Sequence, residues 1–159
     1  MSNDNNLAKA IAGSKMTHNA KYLREGRHLL QVHTAKTTTN RENRPLIVFE
    51  FTVLDTTNPE DHPVGSLATL LFFGDSVSGL KQAKTAICRI LDIDESELTE
   101  NIILNSLSPE EGKRFSPLRG LIVECDTSYQ QTRKGGRYTL TVLYSCEQDV
   151  RSLADLPTV

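Results

Sequence analysis

Residues 120–145 read GLIVECDTSYQQTRKGGRYTLTVLYS, and the fold turns on this stretch. Two runs in it, 121–126 and 138–144, alternate with a period of two and are rich in β-branched and aromatic side chains. That is the pattern of half-buried strands. The alternation puts Leu121, Val123 and Cys125 on one face of the first run. In the second, Tyr138, Leu140, Val142 and Tyr144 share a face that is expected to pack inward. Between the runs, Gly135-Gly136 supplies the positive φ angles of a tight hairpin turn. Arg133, Lys134 and Arg137 gather at the tip, with Tyr129, Gln130 and Gln131 just below. An extended hairpin tipped with cations, amides and an aromatic can grip a polyanion. The same pattern also fits a solvated hairpin whose charges only guard its edges.

Beyond this hairpin the chain is ordinary in bulk and uneven in charge. Its 159 residues suffice for one domain with its own core, and 38% apolar with 24% charged residues is a soluble composition. A net charge of −2 excludes a uniformly basic nucleic-acid binder. The charges are segregated, however. Residues 21–44 hold Lys21, Arg24, Arg27, Lys36, Arg41 and Arg44 against Glu25 and Glu42. Residues 113–137 hold Lys113, Arg114, Arg119, Arg133, Lys134 and Arg137 against Glu124 and Asp126, whereas 92–111 carry acids and no base. Such segregation can focus positive potential on one face of an acidic protein.

Cys88, Cys125 and Cys146 are odd in number and widely spaced, which points to buried thiols in a reducing compartment and away from disulfides or zinc. His18, His28, His33 and His62 have no metal-ligand spacing and are expected to be structural or exposed. No apolar run has the length of a membrane span, and residues 1–6 lack a signal-peptide pattern. The expectation is a cytoplasmic protein with no membrane partner and no cofactor.

Taken in order, residues 1–20 are expected to form a flexible arm, with a helix-compatible patch at Leu7–Ala12 too short to stand alone. Residues 26–36 read as a strand with Leu30, Val32 and Thr34 inward, and 37–44 as a polar turn. Residues 46–54 are the clearest strand, with Phe49, Phe51 and Val53 on one face, and 66–73 a third. After Gly74 the period becomes helical, through Val77, Leu80, Ala83, Ile87, Ile90 and Leu91, with Asp75 or Ser76 as N-cap. Asp94-Glu95-Ser96-Glu97 resembles a capping box opening a second helix, and Ser108-Pro109-Glu110-Glu111 a third helix start. Residues 147–159 read as a polar tail.

Three strands, a helical insert at about 75–116 and two more strands make a mainly β, α+β fold. This is the layout of the five-stranded OB-fold barrel, with helices between strands 3 and 4, here spanning residues 21–146. In that fold the loops joining strands 1 to 2 and 4 to 5 flank one binding face. Those loops are here the two basic tips, 36–44 and 129–137. Leu23-Arg24-Glu25-Gly26-Arg27-His28 enters the first strand, Phe49-Glu50-Phe51 lies in the second, Pro117-Leu118-Arg119-Gly120 enters the fourth, and Gly135-Gly136-Arg137-Tyr138 opens the fifth. In these residues, over about 20–146, the chain resembles the OB-fold single-stranded-DNA-binding proteins of bacteriophages and mobile elements. The resemblance implies a sequence-tolerant single-strand binder in DNA replication or recombination, located in the host cytoplasm. Its implied partners are single-stranded DNA or RNA, replication or recombination proteins, and further copies of itself. One departure stands out: Asp155-Leu156-Pro157-Thr158-Val159 lacks the acidic, aromatic-closed tail by which bacterial members recruit repair enzymes.

Single strands are held by cations along the phosphates and aromatics against the bases. The cation candidates are Lys36, Arg41, Arg44, Arg133, Lys134 and Arg137; the stacking candidates are Tyr129 and then Tyr22. Phe49 and Phe51 are expected to fill the core. An enzyme is the poorer reading, because no phosphate loop, nucleophile elbow or deaminase motif is present. The rival is an OB-type protein-interaction module, or an inhibitor of a host enzyme, that uses its acidic helical insert.

Overall fold

In a computed structural model that describes residues 3–13, 21–107 and 116–156, the alternating runs pair into a single sheet. Helix α1 is Asn3–Gly13, followed by strands β1 Lys21–Tyr22, β2 Gly26–Thr39, β3 Pro45–Thr56 and β4 Leu67–Phe73. Helices α2 Val77–Leu91 and α3 Glu100–Leu107 precede β5 Ile122–Gln131 and β6 Arg137–Ser145. Across the sheet the order is β1-β4-β3-β2-β5-β6. All neighbours are antiparallel except β1 and β4. The sheet thus has six strands where the alternation marked five. The addition, β1, joins β4 at Ala68 and Thr69 through two residues, too few to carry a period.

The sheet curls into a half-barrel. Helix α2 packs against β4 and also against β5 and β6. In a flat sheet β4 and β6 would lie four strand spacings apart, about 19 Å, and a helix reaching both would lie across β3 and β2, with which α2 has less contact than with either end strand. Two register shifts along β2, between Leu29 and Leu30 and between Val32 and Thr34, add the local twist that such curling requires. The second shift also changes the phase of β2, so Ala35 is buried where alternation alone put Thr34.

The core lies inside the curl. Phe49, Phe51 and Val53 are fully buried, as expected, against Leu30, Val32 and Leu70 and the Ala83, Ile87 and Ile90 face of α2. Burying each large apolar side chain contributes roughly 1.5–3 kcal/mol. Helix α2 is capped by Ser76, whose Oγ accepts the Gly79 N–H at 2.8 Å, and it ends at Asp92 in the left-handed region. Gly79 permits a close crossing: a Cβ there would sit 2.1 Å from the Phe73 carbonyl oxygen. Val77 and Leu80, expected on the buried stripe, are exposed because that stripe runs through Gly79, Ala83, Ala86 and Ile90, to one side of them. Asp94 and Glu97 do form a capping box, but over a short 3₁₀ turn. The α-helix starts only at Glu100, where Thr99 Oγ1 accepts the Ile102 N–H. The expected helix start at 108–111 lies outside the described residues.

The expectation for β6 is reversed. Leu143 is buried, whereas Tyr138, Leu140, Val142 and Tyr144 are 51%, 42%, 38% and 46% exposed. The cause is register. Leu143 lies opposite Cys125, a core residue, while Val142 and Tyr144 lie opposite Asp126 and Glu124. A period of two says which side chains share a face, and pairing decides which face is buried.

The outer face of the sheet carries a second, smaller core. Leu29 and Ile122 are buried there beneath Val150 and Leu156, so part of the expected polar tail is a covering segment. The Gln148 side chain extends the β5 ladder: Oε1 accepts the Ile122 N–H at 2.7 Å and Nε2 donates to the Ile122 carbonyl at 3.0 Å. At the entrance to β2, His28 and His62 are both fully buried, their rings edge to face at 5.1 Å. At the N-terminus, α1 exposes Leu7 and Ile11. No helix among the described residues is long and apolar enough to cross a membrane.

Candidate nucleic-acid interface

Strand β5 pairs with β2 only as far as Thr127 opposite Gly26, yet β5 and β6 stay paired to Gln131 opposite Arg137. Residues past Thr127 therefore project as a two-stranded arm. Its turn is fixed by Thr132: its N–H donates to the Gly136 carbonyl at 2.8 Å and its Oγ1 accepts the Gly136 N–H at 2.9 Å. Gly135 takes the positive φ of +82°; Gly136 does not share it, so the pair expected in that region is one residue. A turn followed by one left-handed residue is a standard hairpin closure. Arg133 and Lys134 are exposed at the apex. Tyr129, half-buried on the concave side, lies opposite Thr139. The Arg137 guanidinium stands 4.3 Å from the centroid of its ring. The structure thus brings Tyr129 and Arg137 together beneath Arg133 and Lys134.

The β2–β3 arm is built differently. Asn40 Oδ1 accepts the N–H groups of Glu42 and Arg44, and Asn43 is left-handed, which closes the tip. Arg41 is exposed at this apex and Lys36 on the strand below it. Arg44 is otherwise engaged. Its Nε and Nη2 donate to both carboxylate oxygens of Asp75 at 3.0 and 2.9 Å, and its guanidinium lies 3.9 Å from the Phe73 ring centroid. The hydrogen bond from Arg44 holds the Asp75 carboxyl below its usual range, and that bond in turn raises Arg44. Arg44 thereby ties the start of β3 to the start of α2, and a phosphate would have to compete with Asp75 for it.

Tyr22 is 66% exposed on β1. It sits opposite Thr69, which faces Glu50, which faces Thr34, so the four form one row across the outer face. Lys36 lies on that same face, one row on, opposite Val48. The register thus gathers Tyr22 and Lys36 in one place and Tyr129, Arg133, Lys134 and Arg137 in another. Because β2 and β5 are antiparallel, the two arms leave their shared ladder at opposite ends, and Tyr129 lies on the concave side of the sheet whereas Tyr22 and Lys36 lie on its outer face.

The remaining surface is chemically different. A cavity of about 930 Å³ beside β5 and β6 is lined by Asp92, Glu124, Asp126, Glu147 and Asp155, with Arg27 the cation. Arg27 Nε is itself bonded to Glu124 Oε1 at 2.7 Å. This side repels polyanions. Cys125 is buried, and burial pushes its thiol up to about 12, so it is no nucleophile at neutral pH. All three cysteines are free thiols. Among the described residues no three His, Cys, Asp or Glu side chains converge as metal ligands.

Sequence reasoning missed the Arg44–Asp75 clamp, the Phe73 ring beneath it and the outward stripe of β6. Each depends on cross-strand or strand-to-helix placement, for which no local pattern exists. No protein-family model matches the chain, and no curated protein matches its sequence.

Proposed function

We propose that the chain binds single-stranded nucleic acid with little sequence preference, on an OB-type scaffold that serves DNA replication or recombination in a phage or mobile element. The scaffold reading is supported by strand order. With β1 set aside, β4-β3-β2-β5-β6 is the order 3-2-1-4-5, the order an OB barrel would have if opened between its third and fifth strands, and α2 contacts the strands at both ends of that row. The observation that carries the function is the β5–β6 arm. Two cations lie exposed at its apex, and an arginine stands beside an aromatic below them, the pairing of phosphate and base contacts that single strands require. Among the described acids of the helical insert, several are spent locally. Asp94 and Glu97 cap their own turn and Glu95 binds Lys84 at 2.6 Å, which weakens the rival reading of that insert as a docking surface.

The test is a fluorescence-anisotropy titration with oligo-dT, oligo-U and a duplex at two salt concentrations. Binding to single strands over duplex is expected, weakening with salt by about 0.7 in log–log slope for each phosphate neutralised. No binding to oligo-dT or oligo-U at low salt overturns the proposal.

A further inference from the structure

The edge of β6 is occupied, but its outward face is not. Gln82, Thr85, Ala86 and Arg89 of α2 line the cleft beside Thr141–Ser145, and Ser145 Oγ donates to the Arg89 carbonyl at 2.7 Å. The side chains that alternate outward, Tyr138, Leu140, Val142 and Tyr144, stay exposed. They form one apolar stripe about 20 Å long. Their partners across β5 are polar: Gln130, Ser128, Asp126 and Glu124 in turn. An exposed apolar stripe with a polar border marks a docking surface.

Charge is graded along this stripe. Arg133, Lys134 and Arg137 stand at the Tyr138 end. At the other end Tyr144 belongs to the wall of the 930 Å³ cavity, together with Asp92, Asp126 and Glu147. These three carboxylates are exposed and make no ion pair among the described residues. Ile90, Leu121 and Leu156 line the same cavity, which therefore joins apolar walls to uncompensated negative charge.

We propose that stripe and cavity together receive an amphipathic helix of a partner protein, with its apolar side on β6 and its lysines or arginines gathered at the end that meets the cavity. The stripe fits a helix of about 13 residues, at 1.5 Å each. Apolar anchors at i, i+3, i+4 and i+7 give such a helix the matching face. The charge gradient sets its direction, because cations placed at the Tyr138 end would meet Arg133, Lys134 and Arg137. The carboxylates disfavour nucleic acid or an anionic membrane at the cavity. Helix α1 is a poor occupant: Leu7 and Ile11 are exposed on it, but Lys9 is its only cation. The docking face does not rest on the nucleic-acid reading and is tested without nucleic acid.

The test is fluorescence anisotropy on the full chain with a labelled leucine–alanine helix of that length, its lysines confined to one end. One control peptide has glutamates for the lysines, and another spreads the same lysines along the helix. The end-loaded lysine peptide is expected to bind at least about tenfold more tightly than either control. Leu140→Ser with Val142→Ser should weaken it at least about tenfold, and Asp126→Asn with Glu147→Gln at least about threefold, at unchanged far-ultraviolet circular dichroism. Equal binding of the three peptides by the wild-type chain overturns the proposal, as does indifference to either double substitution. Tighter binding after Leu7→Ser with Ile11→Ser would make α1 the occupant, and a dimer dispersed by the peptide would make it a second copy; each result also overturns the proposal.

Discussion

His62 Nδ1 is the one buried side-chain nitrogen or oxygen without a hydrogen-bond partner among the described residues. The backbone of Arg24 explains why it is left over. Its N–H donates to His62 Nε2 at 2.9 Å, so the ring proton of His62 must sit on Nδ1. The Arg24 carbonyl accepts from His28 Nε2 at 2.9 Å, and His28 Nδ1 accepts from the Thr56 hydroxyl at 2.8 Å. Two neutral rings thus hold one residue, at a cost of roughly 1–3 kcal/mol for the orphaned N–H. Burial lowers the pKa of both, and the proximity of His28 lowers that of His62 further. The unfolded chain, titrating near 6.5, therefore takes up protons before the folded one does. Stability from this pair is complete above about pH 6.5 and falls as pH drops from there toward the lowered folded values. Urea midpoints should fall from pH 7.5 to pH 5.5, and His28→Gln with His62→Gln should flatten that slope; equal slopes would contradict it. From sequence, these histidines were legible only as structural or exposed, with nothing to choose between the two. Their contact joins positions far apart in the chain, and no spacing rule reports that. Gly79 is similar: within a helix it reads as a cost, until the Phe73 carbonyl against it is known.

At the scale of elements, the β5–β6 arm separates charge from stacking. Arg133 and Lys134 are exposed and far from the core, so Arg133→Ala with Lys134→Ala should weaken binding for all sequences and reduce its salt slope by about 1.4. Tyr129→Ala should cost about 1–3 kcal/mol of affinity with little change in slope. Unfolding midpoints should hold in both, because tip residues add little to a core. Arg44→Ala serves as the contrast: it breaks the clamp to Asp75 and should loosen the start of α2 more than it alters binding. Loss of affinity in Arg44→Ala alone would relocate the site to the other arm. The hairpin, its turn glycine and its cations were all readable from alternation and composition. Its orientation was not, because β6 taken alone shows its more apolar face as the natural interior, and only Cys125 opposite Leu143 settles the matter. For the same reason the basic tip at 36–44 could not be sorted into an exposed Arg41 and a committed Arg44.

Over the whole molecule, the strands were legible because five of them alternate strongly, and the order of elements then limits the possible sheets. The covering segment was not legible. Val150 and Leu156 are isolated apolar residues in a polar stretch, and their burial is dictated by Leu29 and Ile122 beneath them. A chain ending at Glu147 should lose at least about 3 kcal/mol of stability, from two buried side chains and the Gln148 bonds. Urea unfolding tests this, and an unchanged midpoint would return the segment to the status of a tail. The path by which β2 acquires its neighbours has a kinetic consequence. Along one side β2 meets β3 through a short turn, but the first half of its other side waits for β5, with Arg27 and Glu124 separated by 97 positions. During synthesis that edge stays bare for roughly 5–20 s after it emerges. The β2–β3–β4 meander must therefore survive as an unfinished sheet, and its final closure is a slow, long-range event. The interval most exposed to misassembly falls before the last third of the chain has been made.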